Sequence, residues 1–329
     1  MVEKTDKNGT RPGAIRTAAI FPGQGSQTPE MAAAYDSHPE VAAAVAEAAA
    51  AIDVDLPKVI ADKTALDKTE NTQPALLAVC AGVFRAAKIS DVAAFAGHSL
   101  GEYAALVCAD AIDFADAVKL VRRRAELMRE AAAGGMAAIL GDPAAAEKYC
   151  DEARKNGAQI WAANYNSPQQ TVVSGRADAI AECAKWTANP GIKRVVPLPV
   201  SIPSHCPLMQ PAADEFIADL RAIKWRTPAA PVLHNATLQY AESADAIVDA
   251  LALQLVRPVR WTETVAKFAA DEISRVYEFG PGGVLCGLAK RIPNAPQHIA
   301  LATGADLEFG VRCRHCGLPH PLTECAARR

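Results

Sequence analysis

A short apolar stretch at residues 92–97 (VAAFAG) runs straight into Gly97-His98-Ser99-Leu100-Gly101, and an Ala- and Leu-rich segment follows at once. An extended segment that hands over to a helix so abruptly needs a tight turn, and glycines on both sides of Ser99 remove the Cβ clashes such a turn creates. That context is what a G-x-S-x-G nucleophile elbow requires. The serine hydroxyl is left at a helix N-terminus, where the dipole and the free N–H of Leu100 can receive developing negative charge. The same residues also suit a plain turn that needs two glycines and a small residue. The strand before and the helix after favour the nucleophile.

Length and composition set the body this turn sits in. A chain of 329 residues has material for roughly two domains, or a large one with an insertion. Half the residues are hydrophobic and 22% are charged, which excludes wholesale disorder. With 34 Lys and Arg against 37 Asp and Glu, the net charge of -3 gives no overall pull toward nucleic acid or an anionic membrane. No run approaches the roughly 18 apolar residues of a membrane span. Residues 1–17 are polar and read as a disordered leader. Cys80, Cys108, Cys150, Cys183, Cys206 and Cys286 sit among apolar neighbours and read as reduced core residues, which points to the cytoplasm. At the far end Cys313, Cys316, His320 and Cys325 approximate a zinc-knuckle set, with spacing one short and no scaffold around it. Residues 304–329 therefore read as an atypical tail, and no metal is expected.

Hydrophobic patterning outlines an α/β chain interrupted by a different rhythm. Strands are expected at 18–21, 92–97, 232–235 and 275–279, with helices at 39–51, 113–132, 211–223, 244–255 and 261–270. A further helix should begin at Asn71 or Thr72 as N-cap, with Pro74 in its first turn. Between them, strands at 136–140, 159–163, 170–174 and 193–200 alternate with helices at 143–155 and 177–186. Asn164-Tyr165-Asn166-Ser167-Pro168 reads as the loop joining the middle pair. The order βαββαβ is the ferredoxin-like split motif. The expected organisation is a catalytic α/β domain at 18–133 and 201–303 with residues 134–200 inserted as a subdomain.

A serine nucleophile needs a base. Of the seven histidines, His98 adjoins the serine, His38 and His234 have no polar motif around them, His298 follows a late loop, and His315 and His320 lie in the tail. His205 sits in Pro203-Ser204-His205-Cys206-Pro207, where prolines on either side can hold a side chain in place. A histidine that merely caps the next helix fits that loop equally well. Phe21-Pro22-Gly23-Gln24-Gly25-Ser26-Gln27 is a glycine-rich loop after the first strand, able to bring backbone N–H groups close to a ligand. It lacks the G-x-G-x-x-G spacing of a dinucleotide loop and the Lys-Ser/Thr of a P-loop.

Taken together, Phe-Pro-Gly-Gln-Gly-Ser-Gln at 21–27, Gly-His-Ser-Leu-Gly-Glu-Tyr at 97–103, Asn-Tyr-Asn-Ser-Pro at 164–168, Val-Ser-Ile-Pro-Ser-His-Cys at 200–206 and Glu-Phe-Gly-Pro-Gly at 278–282 resemble the malonyl-CoA:acyl-carrier-protein transacylases of bacterial fatty acid synthesis. The likeness covers residues 17–303. It implies an α/β-hydrolase-like large domain with a short parallel sheet and a ferredoxin-like insertion. It also implies malonyl transfer from malonyl-CoA to the thiol of a holo acyl carrier protein through a malonyl-serine ester, without metal or bound cofactor. Ser99 would be the nucleophile and His205 the base. The backbone N–H groups of Gln24 and Leu100 would form the oxyanion hole, and Arg124 would hold the malonyl carboxylate. His98, Asn166 and Gln170 would be polar groups beside the substrate. The family orients its histidine with a main-chain carbonyl, here expected from the segment Pro258-Val259-Arg260-Trp261, where Arg260 replaces a common glutamine.

Bottom-up, Arg124 is the last of three consecutive arginines, and successive helical residues point about 100° apart, so a solvated helix face is its bland alternative. An acidic carrier would want a local basic patch, for which Lys193, Arg194, Lys290 and Arg291 are candidates. The rivals are a serine thioesterase or esterase of the same architecture, a trans-acting acyltransferase of polyketide synthesis, and a non-catalytic carrier-binding module. No heptad or interface stripe is present, so a monomer is expected.

Overall fold

Alternation along the central strands decides the layers. The computed structural model describes residues 15–241 and 243–309. Its strands are β1 (Thr17–Phe21), β2 (Val92–Gly97), β3 (Gly135–Gly141), β4 (Ile160–Ser167), β5 (Gln170–Gly175), β6 (Ile192–Pro197), β7 (Val232–Leu233), β8 (Arg275–Phe279) and β9 (Gln297–Leu301). Ala19, Phe21, Phe95, Tyr277 and Phe279 point into one apolar cluster, and Ala18, Ile20, Ala94, Ala96 and Val276 into another. A strand whose two faces both meet apolar partners belongs in a covered parallel sheet. The sheet is ordered β7-β2-β1-β8-β9, and every pairing in it is parallel. Phe21, Phe84 and Phe279 pack ring on ring with centroids 5.1–6.0 Å apart, each pair adding about 1 kcal/mol beyond area burial.

The second sheet, β4-β5-β3-β6, is antiparallel throughout. With the helices Pro143–Lys155 and Ala177–Cys183 between its strands, this is the βαββαβ arrangement expected from the sequence. The antiparallel sheet is tied at β4 to the segment between the helices Ala244–Val256 and Trp261–Ala270, where Tyr165 N–H donates to Val259 O and Val259 N–H donates to Ala163 O.

Several local expectations need correction. Asn164, Tyr165 and Asn166 are not a loop: they extend β4 to Ser167, because Asn164 and Tyr165 pair with Val172 and Thr171 of β5. The long helix of the first half begins at Thr69, before Asn71 and Thr72, with Lys68 at its N-cap and no side-chain cap. Pro74 is thereby interior, and its missing N–H leaves the carbonyl of Glu70 free. Arg122 fills the gap, donating from Nη1 to Glu70 O at 2.9 Å. Sequence patterning also overlooked short helices at Leu56–Ala61 and Val284–Ala289, the edge strand β9, and a helix at Gly304–Phe309. Glu278 of the Glu-Phe-Gly-Pro-Gly block is fully buried and accepts the N–H groups of Leu285 and Cys286, which anchors the second of those helices. The tail residues Cys313, Cys316, His320 and Cys325 lie outside the described residues, as does the leader through residue 14.

Register sets where function can sit. Phe21 pairs with Gly97, so the loop after β1 and the turn after β2 leave the carboxyl edge of the sheet side by side. In open α/β sheets that edge is where ligands bind.

Candidate active site

Ser99 has φ +52°, a left-handed conformation that a residue with a Cβ holds only under constraint from its surroundings. The constraint is visible. A Cβ on Gly97 would fall 1.9 Å from Gly101 C, and one on Gly101 would fall 2.1 Å from Phe21 O. His98 N–H donates to Phe21 O at 3.0 Å and Gly101 N–H to His98 O at 2.9 Å, closing the turn. The turn delivers Ser99 to the head of the helix Gly101–Cys108.

His205 comes from a loop that is likewise left-handed, at φ +60°. Its Nε2 lies 2.7 Å from Ser99 Oγ, and its Nδ1 donates to the carbonyl of Gln254 at 2.7 Å. The expected source of that carbonyl, the segment from Pro258 to Trp261, is wrong. Gln254 stands in the last turn of the helix Ala244–Val256, and the residue four positions on is Pro258, which has no N–H. The carbonyl is therefore unclaimed by its own helix. Arg260 plays no part in it: its Nε donates to Glu263 Oε1 at 3.0 Å. Burial, and secondarily the charge of Arg124, pull the His205 pKa down to about 3, so the imidazole is neutral and able to take a proton at neutral pH.

The three consecutive arginines of the helix Phe114–Ala131 separate as helical geometry requires. Arg122 binds Glu70 O and Glu126, and Arg123 faces Glu215 and Asp219. Arg124 turns inward and is buried. Its Nη1 donates to Gln73 Oε1 at 2.8 Å, and its Nη2 to Gln254 Oε1 at 2.9 Å and to Ser99 Oγ at 3.3 Å. Every acceptor among these is neutral, so a guanidinium sits in the interior beside Ser99 with no carboxylate on it. Burial lowers its pKa below the ordinary arginine value, while the neighbouring Tyr103 and Glu102 work against that shift.

The remaining candidates fall into two groups. Gln24, Leu100, His98 and Asn166 line the same cavity as Ser99 and Arg124, a volume of about 600 Å³ roofed by the antiparallel sheet. Among the described residues, the backbone N–H groups of Gln24 and Leu100 make no hydrogen bond. The Gln24 loop is pressed against the elbow, since a Cβ on Gly23 would meet His98 O at 2.5 Å. His98 Nε2 bonds Asn166 Oδ1 at 2.9 Å, and burial lowers its pKa. Gln170 does not line the cavity and reaches it only through Asn166, whose Nδ2 donates to Gln170 Oε1 at 3.1 Å. Lys193, Arg194, Lys290 and Arg291 are exposed, and none lines the cavity.

Sequence reasoning missed a buried polar layer beneath the serine. His234, set aside for lack of a polar motif, donates from Nδ1 to Glu102 Oε1 at 2.6 Å. Asn235 Oδ1 accepts the N–H of Ser99 at 2.7 Å. Gln73 links Arg124 to Gln24 through Thr69, in steps of 3.0 Å. Only Glu102 carried a signal, its place in the Gly97–Tyr103 block. Among the described residues no group of His, Cys, Asp or Glu is arranged to hold a metal ion.

A serine on a tight strand-to-helix turn, a histidine on its Oγ and a buried arginine beside both form an arrangement suited to acyl transfer through the serine. The acyl transferase domain family matches residues 19–288. The malonyl CoA-acyl carrier protein transacylase of Escherichia coli K12 is 46% identical over 288 residues, covering 84% of this chain and 92% of the relative. The solved malonyl CoA-acyl carrier protein transacylase from Coxiella burnetii superposes with a TM-score of 0.86 at 40% identity, covering 90% of this chain and 96% of the other. A malonyl-transacylase solved with its type II polyketide acyl carrier protein superposes equally well, with a TM-score of 0.86 at 40% identity, 89% of this chain and 97% of the other. The chain belongs to the malonyl CoA-acyl carrier protein transacylases.

Proposed function

We propose that the chain transfers the malonyl group of malonyl-CoA to the phosphopantetheine thiol of an acyl carrier protein, feeding fatty acid synthesis, through a malonyl ester on Ser99. The observation that carries this reading is Arg124, a buried cation with no carboxylate partner whose Nη2 lies 3.3 Å from Ser99 Oγ. A malonyl group esterified to Ser99 brings a carboxylate to a planar fork suited to receive it.

In the first half-reaction Ser99 Oγ attacks the thioester carbon while His205 Nε2 takes its proton. The carbonyl oxygen becomes an oxyanion within reach of the Gln24 and Leu100 N–H groups. As the intermediate collapses, the C–S bond breaks and the imidazolium returns the proton to the departing CoA thiolate. The second half-reaction runs in reverse order with the carrier thiol as nucleophile, His205 taking its proton, and Ser99 as the leaving group. Gln254 O holds Nδ1–H through both halves, keeping the tautomer that leaves Nε2 free as a base. A carboxylate on Arg124 also cancels the charge that depresses His205, so malonyl sharpens the base that activates its own acceptor.

Residues 134–200 form, on this reading, an inserted roof that keeps water from the ester. No helix among the described residues is long and apolar enough to cross a membrane. The free cysteines support a reducing, cytoplasmic setting. Leu253 and Val284, the exposed large hydrophobics of the described residues, are too few for an obligate interface and support a monomer.

The test is intact mass after incubation with malonyl-CoA, followed by addition of a phosphopantetheinylated carrier. A malonyl gain that moves to the carrier is expected. An adduct that decays to free malonate with the carrier ignored would make the chain a thioesterase.

A further inference from the structure

Glu102 shares a sequence block with Ser99, is fully buried, and has no task in the transfer steps above. Three donors converge on its carboxylate. Oε1 takes His234 Nδ1–H at 2.6 Å, and Oε2 takes the N–H of Asn235 at 2.9 Å and Nε2–H of Gln254 at 2.8 Å. Two of the donor residues grip the machinery directly. Asn235 holds both sides of the elbow, accepting Ser99 N–H at 2.7 Å and donating to Gly97 O at 2.6 Å. Gln254 donates to Ser99 O at 3.0 Å, accepts Arg124 Nη2 at 2.9 Å on Oε1, and accepts His205 Nδ1–H at 2.7 Å on its main-chain oxygen.

A primary amide has one donating end and one accepting end. With a carboxylate at one end and a guanidinium at the other, the Gln254 side chain can point only one way. Its orientation then fixes where Arg124 lies relative to Ser99. We infer that Glu102 is a positioning residue: through Gln254 and Asn235, one buried anion sets the elbow, the base and the carboxylate-binding arginine relative to each other. This rests on the transacylase reading. Acyl recognition and nucleophile geometry would then share an anchor, and a fault there would damage both together.

Glu102→Gln is nearly isosteric but puts an N–H where three donors already meet, so at least one donor loses its partner and Gln254 turns. The experiment measures single-turnover loading of malonyl-CoA and acetyl-CoA by intact mass, on the full chain, for wild type, Glu102→Gln and Glu102→Asp. For folded Glu102→Gln the saturating loading rate should fall about 100-fold for both acyl groups, the scale of an ångström-sized misplacement, and the preference for malonyl should narrow. A purely structural role moves neither number once the variant is folded. Folded Glu102→Gln with wild-type rates and preference overturns the inference. If that variant does not fold, Glu102→Asp decides: it keeps the charge but is one methylene too short for all three donors. Loading slowed at saturation supports the role, and full activity overturns it. If neither variant folds, Glu102 serves folding alone and the inference falls. A wild-type chain that does not load at all is a separate failure, of the transacylase reading, and removes the basis for this one.

Discussion

Arg124 and His205 oppose each other, and their opposition has measurable consequences. Removing the guanidinium leaves a malonyl carboxylate to be desolvated without a partner, which costs about 2–5 kcal/mol, or roughly 30- to 4,000-fold. Arg124→Ala should therefore slow malonyl loading by a factor in that range while acetyl loading holds or improves, as read by competition between the two thioesters. Equal losses for both would take Arg124 out of the carboxylate role. His205 and His98 carry a second consequence, in stability. Both imidazoles are held neutral by burial, His205 down to about 3. The unfolded chain takes up a proton on His205 below about pH 6.5 while the native state does not, so stability must fall as pH drops from there toward 3. His205 adds a slope of about 1.4 kcal/mol per pH unit in that window, and His98 acts in the same direction. Urea melts between pH 7 and pH 4.5 should be shallower in pH for His205→Gln than for wild type, and identical slopes would mean that His205 already titrates normally in the folded chain.

At the scale of elements, what the sequence disclosed and what it hid divide along a physical line. Ser99 was legible from its own pattern, paired glycines at a turn between strand and helix, whereas His205 and Arg124 were singled out by the family resemblance, prolines around a loop and a 100° helical step being only compatible with their places. The parallel core was legible because β1 and β2 are short apolar runs cut off at Pro22-Gly23 and Gly97, and β8 is a short run cut off at Gly280. Gln254, Asn235 and His234 gave no such sign, since what matters is which helix end or strand end the tertiary fold brings under the elbow. The carbonyl on His205 shows this well: its availability depends on Pro258, visible in the sequence, but its direction depends on where the helix Ala244–Val256 docks. The extension of β4 was missed because Asn and Ser have turn propensity that pairing with β5 overrides. Glycines separate in the same way. A Cβ on Gly287, inside the helix Val284–Ala289, meets nothing within 4 Å, so Gly287→Ala should stabilise the chain by about 0.5–1 kcal/mol. Gly97→Ala, driven into the backbone of Gly101, should cost more than about 4 kcal/mol and leave little folded protein. Thermal melts of the pair test whether the elbow is as tight as its geometry says, and a well-folded Gly97→Ala would show that it is not.

The whole molecule keeps its charged groups in an unfinished balance. A buried guanidinium held only by neutral acceptors is unfavourable for folding, because burial strips its hydration and nothing of opposite sign touches it. On the proposed function, catalysis explains why the chain tolerates this: the missing anion is the malonyl carboxylate. Covalent loading should therefore stabilise the fold as well as charge the enzyme. The malonyl-Ser99 form, isolated by rapid desalting, gains a desolvated charge pair of about 2–5 kcal/mol that the acetyl-Ser99 form cannot make. At about 2 °C per kcal/mol for a chain of this size, the malonyl enzyme should melt several degrees above both the free and the acetyl enzyme. The cavity beside Ser99 is lined by β3, β4 and β5 on one side and by the elbow and Arg124 on the other, so the gain should also tighten the roof, and amide exchange in β4 and β5 should slow in the malonyl form alone. If the malonyl and acetyl enzymes melt together, the carboxylate does not reach Arg124, and the charge left open in the free protein must be answered by something else.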